Sequence, residues 1–341
     1  MSSPRVYFTA TVLVPSGYIV IAGGTADDST PLSTVDIYNP VTGCYNLSNI
    51  SSQRMKHTAV EFNNSDTVLL IGGVTPTPAS DLLTECISLS GAQYVLALSG
   101  ARYLHETAVL TNKNILVVGG QSTQPTVPGM YSRNTNTFWP LEHAGPTLWN
   151  VEGHSVTSLE SNNNALIFGG FNGGIYLNQA WMVEGIDGNS TDISQRTSHI
   201  YSRAHHQATY VPNVDKVLIT GGDNGTHTFD SCFLYSVADG TFNRTGSMQM
   251  KRSYHAAVRL ANGSVLVIGG IGTFFGGQAS DVLKSVERYD VSTGTFTFVT
   301  NLNVPRYGHK AVVVSQNQVF VFGGYSTDGV ILSSIEYLFP E

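Results

Sequence analysis

The sequence of 341 residues has few charged residues and no long apolar run. Charged residues make up 12% of the chain and hydrophobic residues 41%, a composition that excludes an intrinsically disordered protein. The 24 acidic residues outnumber the 17 basic ones, which argues against a nucleic-acid-binding protein that depends on clustered Lys and Arg. No apolar stretch approaches the roughly 18 residues that a membrane-spanning helix needs.

Cysteine is also scarce. Three residues, Cys44, Cys86 and Cys232, are too few for a disulfide scaffold, and no Cys-x-x-Cys pair indicates a structural zinc site. Residues 1–11 lack the apolar core and cleavage site of a signal peptide. The chain has no Gly-x-Ser-x-Gly elbow, Walker loop, His-Glu-x-x-His motif or dinucleotide-binding fingerprint, so no cofactor is predicted.

Glycine, by contrast, is abundant and periodic. Of the 35 glycines, 14 form seven Gly-Gly pairs, each of which ends a short apolar run. The first glycines of these pairs are 47 to 54 residues apart: Gly23, Gly72, Gly119, Gly169, Gly221, Gly269 and Gly323. Such a period indicates a repeat protein and overrides the two domains that the length alone suggests. Two further pairs, at 173–174 and 276–277, follow no apolar run and are interpreted as loops.

Each repeat carries further features in a fixed order. An Arg-x-x-His motif precedes most of the Gly-Gly pairs, as at Arg252 and His255. An alternating segment, a turn and an aromatic segment follow, as at 285–289, 290–294 and 296–299. The pattern predicts four short strands per repeat, named a to d from the Arg-x-x-His motif onwards. Gly-Gly allows positive φ and close approach of neighbouring backbones where the repeats converge.

A four-stranded antiparallel unit of about 50 residues is typical of a kelch-type propeller blade. With its phased Gly-Gly pairs, its Val-Glu-Arg-Tyr-type strand c and its Thr-Gly-aromatic entry to strand d, the whole chain resembles the kelch family. The resemblance implies an all-β, seven-bladed propeller in a single domain, 1–341. The blades are expected at about 5–50, 54–99, 102–142, 149–201, 203–247, 252–302 and 306–341.

The last repeat has no strand d before the sequence ends at Glu341, and residues 1–5 resemble the stretch that follows a strand d. Two interpretations are open. The last blade has three strands and an exposed edge, or the sequence is a segment of a longer protein; we favour the second, because exposed edges are normally protected.

In propellers that resemble this one, ligands meet the channel mouth formed by the entries of strand a and the loops after Gly-Gly. Two positions of the repeat lie there: the second residue after the arginine, named the Arg+2 position, and the residue after Gly-Gly. Together with one residue of a longer loop, they supply the predicted partner-binding residues Tyr7, Lys56, Gln121, Phe171, His205, Asp223, Tyr254, Phe274 and Tyr325.

This mixture of aromatic and polar groups suits the recognition of a protein segment or a glycan. The predicted function is therefore a non-catalytic recognition or scaffold module. Each residue alone is also compatible with an ordinary loop, which leaves a purely structural propeller in a larger extracellular protein as an alternative.

Six histidines recur one residue further along, at the Arg+3 position: His57, His105, His154, His206, His255 and His309. A ring of imidazoles could bind a transition metal. The simpler interpretation is that each makes the same hydrogen bond between blades, because side chains spread around a channel lie too far apart to share an ion.

The central domain of galactose oxidase-like copper radical oxidases is also a seven-bladed kelch propeller, and Tyr254-His255 matches the ligand motif of that family. The resemblance makes an enzyme of this type an alternative function, with Tyr254 and His255 as weak metal candidates. The family crosslinks a ligand Tyr to a Cys on a neighbouring strand a, whereas the three cysteines here are predicted on outer strands. Its further His ligand comes from a C-terminal domain that this sequence does not contain.

The sequence contains seven Asn-x-Ser/Thr glycosylation motifs, at Asn46, Asn49, Asn63, Asn189, Asn224, Asn243 and Asn262. About four are expected by chance at average composition. This mild excess and the low charge favour an extracellular, monomeric domain of a longer secreted protein that binds a protein or glycan.

Overall fold

The computed structural model describes residues 1–62, 65–76, 84–89, 93–96, 102–122, 127–132, 135, 137–141, 148–184, 192–196, 198–275 and 278–340. Within these residues the fold consists of β-strands and contains no α-helix. Seven small antiparallel sheets are arranged as the blades of a propeller, which confirms the fold predicted from the glycine repeat. In this described part of the chain, no helix is long and apolar enough to cross a membrane.

Each blade is built from strands in chain order, and in blades 4 and 6 a short hairpin separates strands b and c. Strands a are β1 (Thr9–Val12), β5 (Thr58–Glu61), β9 (Tyr103–Val109), β13 (Ser155–Leu159), β19 (Gln207–Val211), β23 (Ala256–Arg259) and β29 (Lys310–Val313). Strands b are β2 (Ile19–Ala22), β6 (Thr67–Ile71), β10 (Ile115–Gln121), β14 (Asn164–Phe168), β20 (Lys216–Thr220), β24 (Val265–Ile268) and β30 (Val319–Phe322).

The outer strands follow in the same order. Strands c are β3 (Leu32–Tyr38), β7 (Thr84–Ser88), β11 (Gly129–Ser132), β17 (Ala180–Glu184), β21 (Cys232–Ser236), β27 (Ser285–Asp290) and β31 (Ile335–Leu338). Strands d are β4 (Tyr45–Arg54), β8 (Gln93–Leu96), β12 (Thr137–Pro140), β18 (Asp192–Arg196), β22 (Thr241–Arg244) and β28 (Thr295–Asn301). Blade 7 has three strands, β29, β30 and β31.

The strands a form the inner ring. Every neighbouring pair is in contact, from β1 with β5 to β23 with β29, and β29 contacts β1 to close the circle. The strands b are buried on both faces; all four residues of β2, β24 and β30 are buried. Seven hydrophobic clusters fill the interfaces between adjacent blades, and the one between blades 7 and 1 contains Phe8, Ile21 and Phe322. The core is therefore distributed around the ring.

The Gly-Gly pairs lie where adjacent blades converge. The amide N of the second glycine donates to the carbonyl of the Arg position in the next blade, for example Gly222 N to Arg252 O at 2.9 Å and Gly324 N to Arg5 O at 3.0 Å. The first glycine has φ near +60° in every blade. A Cβ at Gly269 would lie 2.6 Å from Arg306 O, so the chain needs glycine here for space as well as for conformation.

Buried arginines of the Arg-x-x-His motif tie strands b and c together. Arg252 donates to Gly269 O at 2.8 Å and pairs with Glu287 of β27, whose carboxylate also accepts the amide of Gln249 at 2.7 Å. Blades 1, 2 and 7 contain equivalent buried pairs: Arg5–Asp36, Arg54–Glu85 and Arg306–Glu336. The arginine is thus part of the framework of the blade.

Two blades replace the acid by an aromatic ring. In blade 5 the guanidinium of Arg203 lies over Phe229 at 4.7 Å and over Phe233 at 5.2 Å, where Phe233 takes the place of the acid. In blade 3 Arg102 lies 5.9 Å from the ring of Phe138. Burial lowers the pKa of Arg102 and Arg203 to about 10, so both remain protonated at neutral pH.

Two short hairpins after Gly-Gly add to the four-strand pattern. They are β15 (Phe171–Asn172) with β16 (Ile175–Tyr176), and β25 (Ile271–Phe275) with β26 (Gln278–Val282). Gly173 and Gly174 form the turn of the first hairpin, in agreement with their interpretation as a loop. Both hairpins extend from the end of the propeller at which strands a begin.

Candidate functional site at the channel mouth

Two repeated backbone features form the mouth of the channel. The residue after each arginine pairs in an antiparallel bridge with the residue after Gly-Gly, as in Ala204 with Asp223 and Tyr307 with Tyr325. The Arg+2 residue that follows has positive φ in all seven blades. These residues are Tyr7, Lys56, Leu104, Gly153, His205, Tyr254 and Gly308. The left-handed conformation turns the chain at the start of each strand a.

Backbone hydrogen bonds connect the Arg+2 residues from blade to blade. The amide of His205 donates to Gly153 O at 2.8 Å, that of Tyr254 to His205 O at 3.1 Å, and that of Gly308 to Tyr254 O at 3.0 Å. Lys56 and Leu104 continue the pattern from Tyr7. The Arg+2 side chains therefore stand on a ring that the framework holds in place.

Three predicted residues form one hydrogen-bonded chain on this ring. The Asp223 carboxylate lies 2.9 Å from Nδ1 of His205, and the hydroxyl of Tyr254 lies 2.9 Å from Nε2 of His205. The rings of His205 and Tyr254 also stack with centroids 4.0 Å apart. Because the buried carboxylate favours a proton on Nδ1, Nε2 accepts the hydrogen bond from Tyr254.

The hairpin of blade 4 supports this chain from the side. The hydroxyl of Tyr176 donates to Asp223, and burial together with the charge of Asp223 raises the pKa of Tyr176 to about 12. The ring of Phe171 packs against Tyr176 with centroids 5.0 Å apart. The amide of Gly225 donates to the second Asp223 oxygen at 3.1 Å. Asp223 is thus a buried, fully hydrogen-bonded anchor for His205.

A second cluster joins blades 7, 1 and 2. The rings of Tyr307 and Tyr325 stack with centroids 5.0 Å apart, and Tyr7 meets Tyr325 edge-on at 6.3 Å. The hydroxyl of Tyr325 donates to Asp28 of the loop in blade 1. The ammonium of Lys56 lies 4.9 Å from the centre of the Tyr7 ring. Burial and Asp28 raise the pKa of Tyr325, so its phenol remains neutral.

The structure brings most, but not all, of the predicted site residues into these two clusters. Gln121 instead donates to Asn150 O at 3.1 Å in the adjacent blade, and Phe274 lies in β25 with its side chain outside the described part. Five contributors lie outside the predicted set: Asp28, Tyr103, Glu152, Tyr176 and Tyr307. Three of these five, Tyr103, Glu152 and Tyr307, directly follow the Arg position, so the bridge to the residue after Gly-Gly was the signal that could have identified them.

The Arg+3 histidines lie between the blades. Nε2 of His57, His105 and His206 lies 2.9–3.1 Å from a hydroxyl of the preceding strand a, on Thr9, Thr58 and Ser155. His255 lies 2.9 Å from Thr220 instead. Burial lowers the pKa of His105 and His309 to about 3 and that of His154 to about 4, so these rings are neutral. Among the described residues, no three His, Cys, Asp or Glu side chains are grouped as a metal site.

The glycosylation motifs are spread over the surface. Asn46, Asn49, Asn243 and Asn262 are exposed and Asn224 is half-buried in the loop after Asp223. Asn63 and Asn189 lie outside the described residues. Modification of these asparagines remains a prediction from the sequence.

Comparison with known proteins identifies the family of the fold. A family model described as the Attractin/LZTR1 beta-propeller matches residues 97–335, and a kelch motif model matches residues 7–47. Beta-scruin of Limulus polyphemus is 31% identical over 140 residues, which cover 37% of this chain and 14% of that protein. The kelch repeat-containing protein kel-10 of Caenorhabditis elegans is 30% identical over 127 residues, or 36% of this chain and 20% of that protein. The matched region thus spans no more than a fifth of either relative's length.

A solved structure has the same architecture. A fungal alcohol oxidase of the AA5 family, in complex with copper, superposes with a TM-score of 0.75 over 98% of this chain and 74% of its own. The two sequences are 16% identical, so the likeness concerns the fold.

Proposed function

This chain belongs to the Attractin/LZTR1 beta-propeller family, and from that premise we propose that it is a recognition module that binds a segment of a partner protein at the channel mouth. Kelch propellers typically bind proteins, and at the mouth the side chains of this chain differ from one repeat to the next. The specific partner segment is our inference from the side chains there.

The observation that carries the proposal is the pair of side-chain clusters on a repeated backbone ring. The Arg+2 backbone is the same in all blades, but its side chains vary from Gly308 and Gly153 to Leu104 and Tyr254. Aromatic rings with hydrogen-bonding tips, such as the exposed Tyr7 and the half-buried Tyr325, offer a large contact area and little conformational entropy to lose. A rigid platform with variable side chains is what recognition requires.

An oxidase of the copper radical type is the second candidate, because of the structural neighbour. The residues do not fit that centre. The hydroxyl of Tyr254 donates to His205, whereas the adjacent His255 turns between the blades to Thr220. Cys86 and Cys232 lie on the outer strands β7 and β21, and Cys44 lies in the turn before β4. None of the three cysteines, all of which the structure describes, is placed to crosslink a tyrosine of the mouth.

A glycan is the alternative ligand, since stacked tyrosines and carboxylates also suit sugars. A purely structural propeller within a larger extracellular protein is a further alternative that predicts no ligand at the mouth. The proposal predicts a peptide ligand at the mouth, the first alternative a glycan and the second no ligand. One binding screen therefore separates the three.

The test is selection of a phage-displayed peptide library on the chain, with a parallel screen on a glycan array. We expect peptides that bind the wild type and lose at least tenfold in affinity on the Tyr254→Ala and Tyr325→Ala variants. Gln121→Ala, at the same position after Gly-Gly but outside both clusters, is the matched control and should bind normally. Enrichment on the glycan array alone, or peptides insensitive to both tyrosine variants, would contradict the proposal.

A further inference from the structure

The ring of Arg+2 side chains has one open position. Gly153 and Gly308 are its two glycines, and their surroundings differ. A Cβ at Gly153 would lie 2.8 Å from the His205 ring, which already occupies that space. A Cβ at Gly308 would meet a single atom within 4 Å, on the Tyr325 ring at 3.8 Å. Among the residues that the structure describes, the mouth therefore has a gap above Gly308, between the Arg+2 residues Tyr254 and Tyr7.

Aromatic rings bound this gap. Tyr325 lies against Gly308, Tyr7 meets Tyr325 edge-on, and Tyr307 stacks on the other side of the cluster. Tyr7 remains 39% exposed, so the rings are accessible from solvent. Three tyrosines around an open space present π-electron density to whatever enters it.

The charges next to the gap are mainly carboxylates. Asp28 accepts the hydroxyl of Tyr325, Asp223 anchors the chain that ends at Tyr254, and Glu152 lies near enough to raise the pKa of Tyr254. Two basic groups are described near this position: the ammonium of Lys56 beside the Tyr7 ring, and Lys310, two residues after Gly308 at the start of β29. The local balance is therefore negative, as for the whole chain with its net charge of −7.

Lys56 also shows what the rings attract. Its ammonium lies 4.9 Å from the centre of Tyr7 and 5.8 Å from the centre of Tyr103. Both distances are within the reach of a cation–π interaction. A cation of the chain itself thus occupies one side of the tyrosine cluster, while the gap over Gly308 on the other side is open.

We propose that the gap over Gly308, lined by Tyr7, Tyr307 and Tyr325 with Asp28 beside it, is a subsite for a basic side chain of the bound segment. This inference rests on the proposed function and specifies the partner: a peptide segment that presents Lys or Arg. The ammonium or guanidinium group lies against the tyrosine rings, and the carboxylates around the mouth attract it from solution.

The experiment measures the binding of three labelled nine-residue peptides by fluorescence anisotropy. The peptides share a Gly/Ser spacing and carry three Lys, three Glu or no charge. We expect the Lys peptide to bind, with an affinity that falls as salt is raised, and the other two to bind at least tenfold more weakly.

Four variants then locate the binding. Tyr7→Leu should weaken binding of the Lys peptide by about two- to fivefold, the range of an exposed cation–π contact, and Asp28→Asn should weaken it by a similar factor, the range of an exposed charge pair. Lys56→Met should strengthen it by a similar factor, because the competing internal cation is removed. Leu104→Ala, at another Arg+2 position, is the matched control and should change nothing.

Four outcomes overturn the inference. If the Glu or uncharged peptide binds as well as the Lys peptide, or if Lys56→Met weakens binding, the subsite does not select a cation. If phage selection yields peptides without basic residues that still depend on Tyr254 and Tyr325, the recognition function stands and the basic subsite is wrong. If the Lys peptide binds all variants equally, it binds away from the mouth and the basic subsite is wrong, while the phage selection with the Tyr254 and Tyr325 variants still decides the recognition function.

Discussion

At the scale of single residues, the Arg+3 position shows how one repeated side chain is adapted to its neighbour. The histidine bonds a hydroxyl wherever the preceding strand a offers one, as Thr9, Thr58 and Ser155 do. In blade 1 the position is Phe8, whose ring lies against Gly323 in the place where histidine rings lie against the other first glycines. The ring volume is therefore required in every blade, but the imidazole is not.

The buried histidines predict an acid-sensitive stability. His154 has a pKa of about 4 in the folded chain and about 6.5 when unfolded. Between these values the unfolded chain binds the proton and the folded chain does not, so stability falls as the pH is lowered from 6.5 towards 4. His154→Phe, which reproduces the phenyl ring of Phe8, should reduce that loss by up to about 1.4 kcal/mol per pH unit, measured by urea unfolding between pH 6 and 4.5. A slope identical to that of the wild type would show that His154 is protonated while folded.

Loss of the acid from a buried ion pair should reduce the unfolding free energy more than loss of the acid from an exposed pair. Glu287→Gln leaves the Arg252 guanidinium without a counter-charge in the interior and should reduce the unfolding free energy by about 3–5 kcal/mol. The exposed pair of Arg259 and Glu160 is the control, and Glu160→Gln should cost less than about 1 kcal/mol. Equal costs in urea unfolding would mean that burial does not set the strength of these pairs.

At the scale of the elements, the Gly-Gly ends of strands b are the least replaceable positions. Gly269→Val adds a left-handed strain and places a Cβ within 2.6 Å of Arg306 O and 2.8 Å of the His309 ring. We expect a loss of several kcal/mol in unfolding free energy. Gly43→Val, at a turn with φ of +71° and nothing within 4 Å, tests the strain alone and should cost about 1–2 kcal/mol. If the two substitutions reduce the unfolding free energy equally in chemical denaturation, the close contact between blades at Gly269 contributes nothing to the loss.

The blade could be predicted from the sequence because its signals are local and repeated. The apolar strands b, the glycine pairs and the turn at 290–294 each appear in nearly every repeat, and seven copies fix the period. The hairpins β15–β16 and β25–β26 were not predicted, because they occur in two of the seven blades and share no sequence pattern that repeats. Asp28 lies in a loop that differs between repeats. Its hydrogen bond with Tyr325 could not be predicted, because it depends on how blade 7 meets blade 1.

The site was predictable only in part. The repeat shows which residues occupy the Arg+2 position and the position after Gly-Gly. These two positions identified His205, Asp223 and Tyr254 individually. Their hydrogen-bonded chain crosses from blade 5 to blade 6, and such contacts depend on the rotation between blades, which the sequence does not state. Gln121 occupies an equivalent position and bonds a backbone carbonyl instead.

At the scale of the whole molecule, the ring of blades closes between blades 7 and 1 through hydrogen bonds made by residues 1–5. The amino group of Met1 donates to Ser333 O at 3.0 Å, and the amide of Arg5 donates to Leu332 O at 3.1 Å. The amide of Ser2 donates to Asp36 at 2.8 Å, which attaches the first residues to strand c of blade 1. Asp36 thereby joins residues 2–5 to strand c of blade 1. Glu287 does the same in blade 6, where it joins residues 249–252 to strand c.

The position of Asp36 beside the contact between blades 7 and 1 predicts that the ring opens first at this contact. Asp36→Asn removes the charge that holds both Ser2 and Arg5, and the backbone of Arg5 is hydrogen-bonded to Gly324 and Leu332 of blade 7 at this seam. Hydrogen–deuterium exchange of the amides of Arg5 and Gly324 should accelerate by at least tenfold, while those of Gly222 and Gly270 in internal blades remain protected. Glu287→Gln is the matched control: it should lower the global stability without selective exchange at the seam, because the chain itself holds blades 5, 6 and 7 together. Uniform acceleration in both variants would instead show that the seven blades unfold as one cooperative unit and that the closure between blades 7 and 1 is as strong as any other interface.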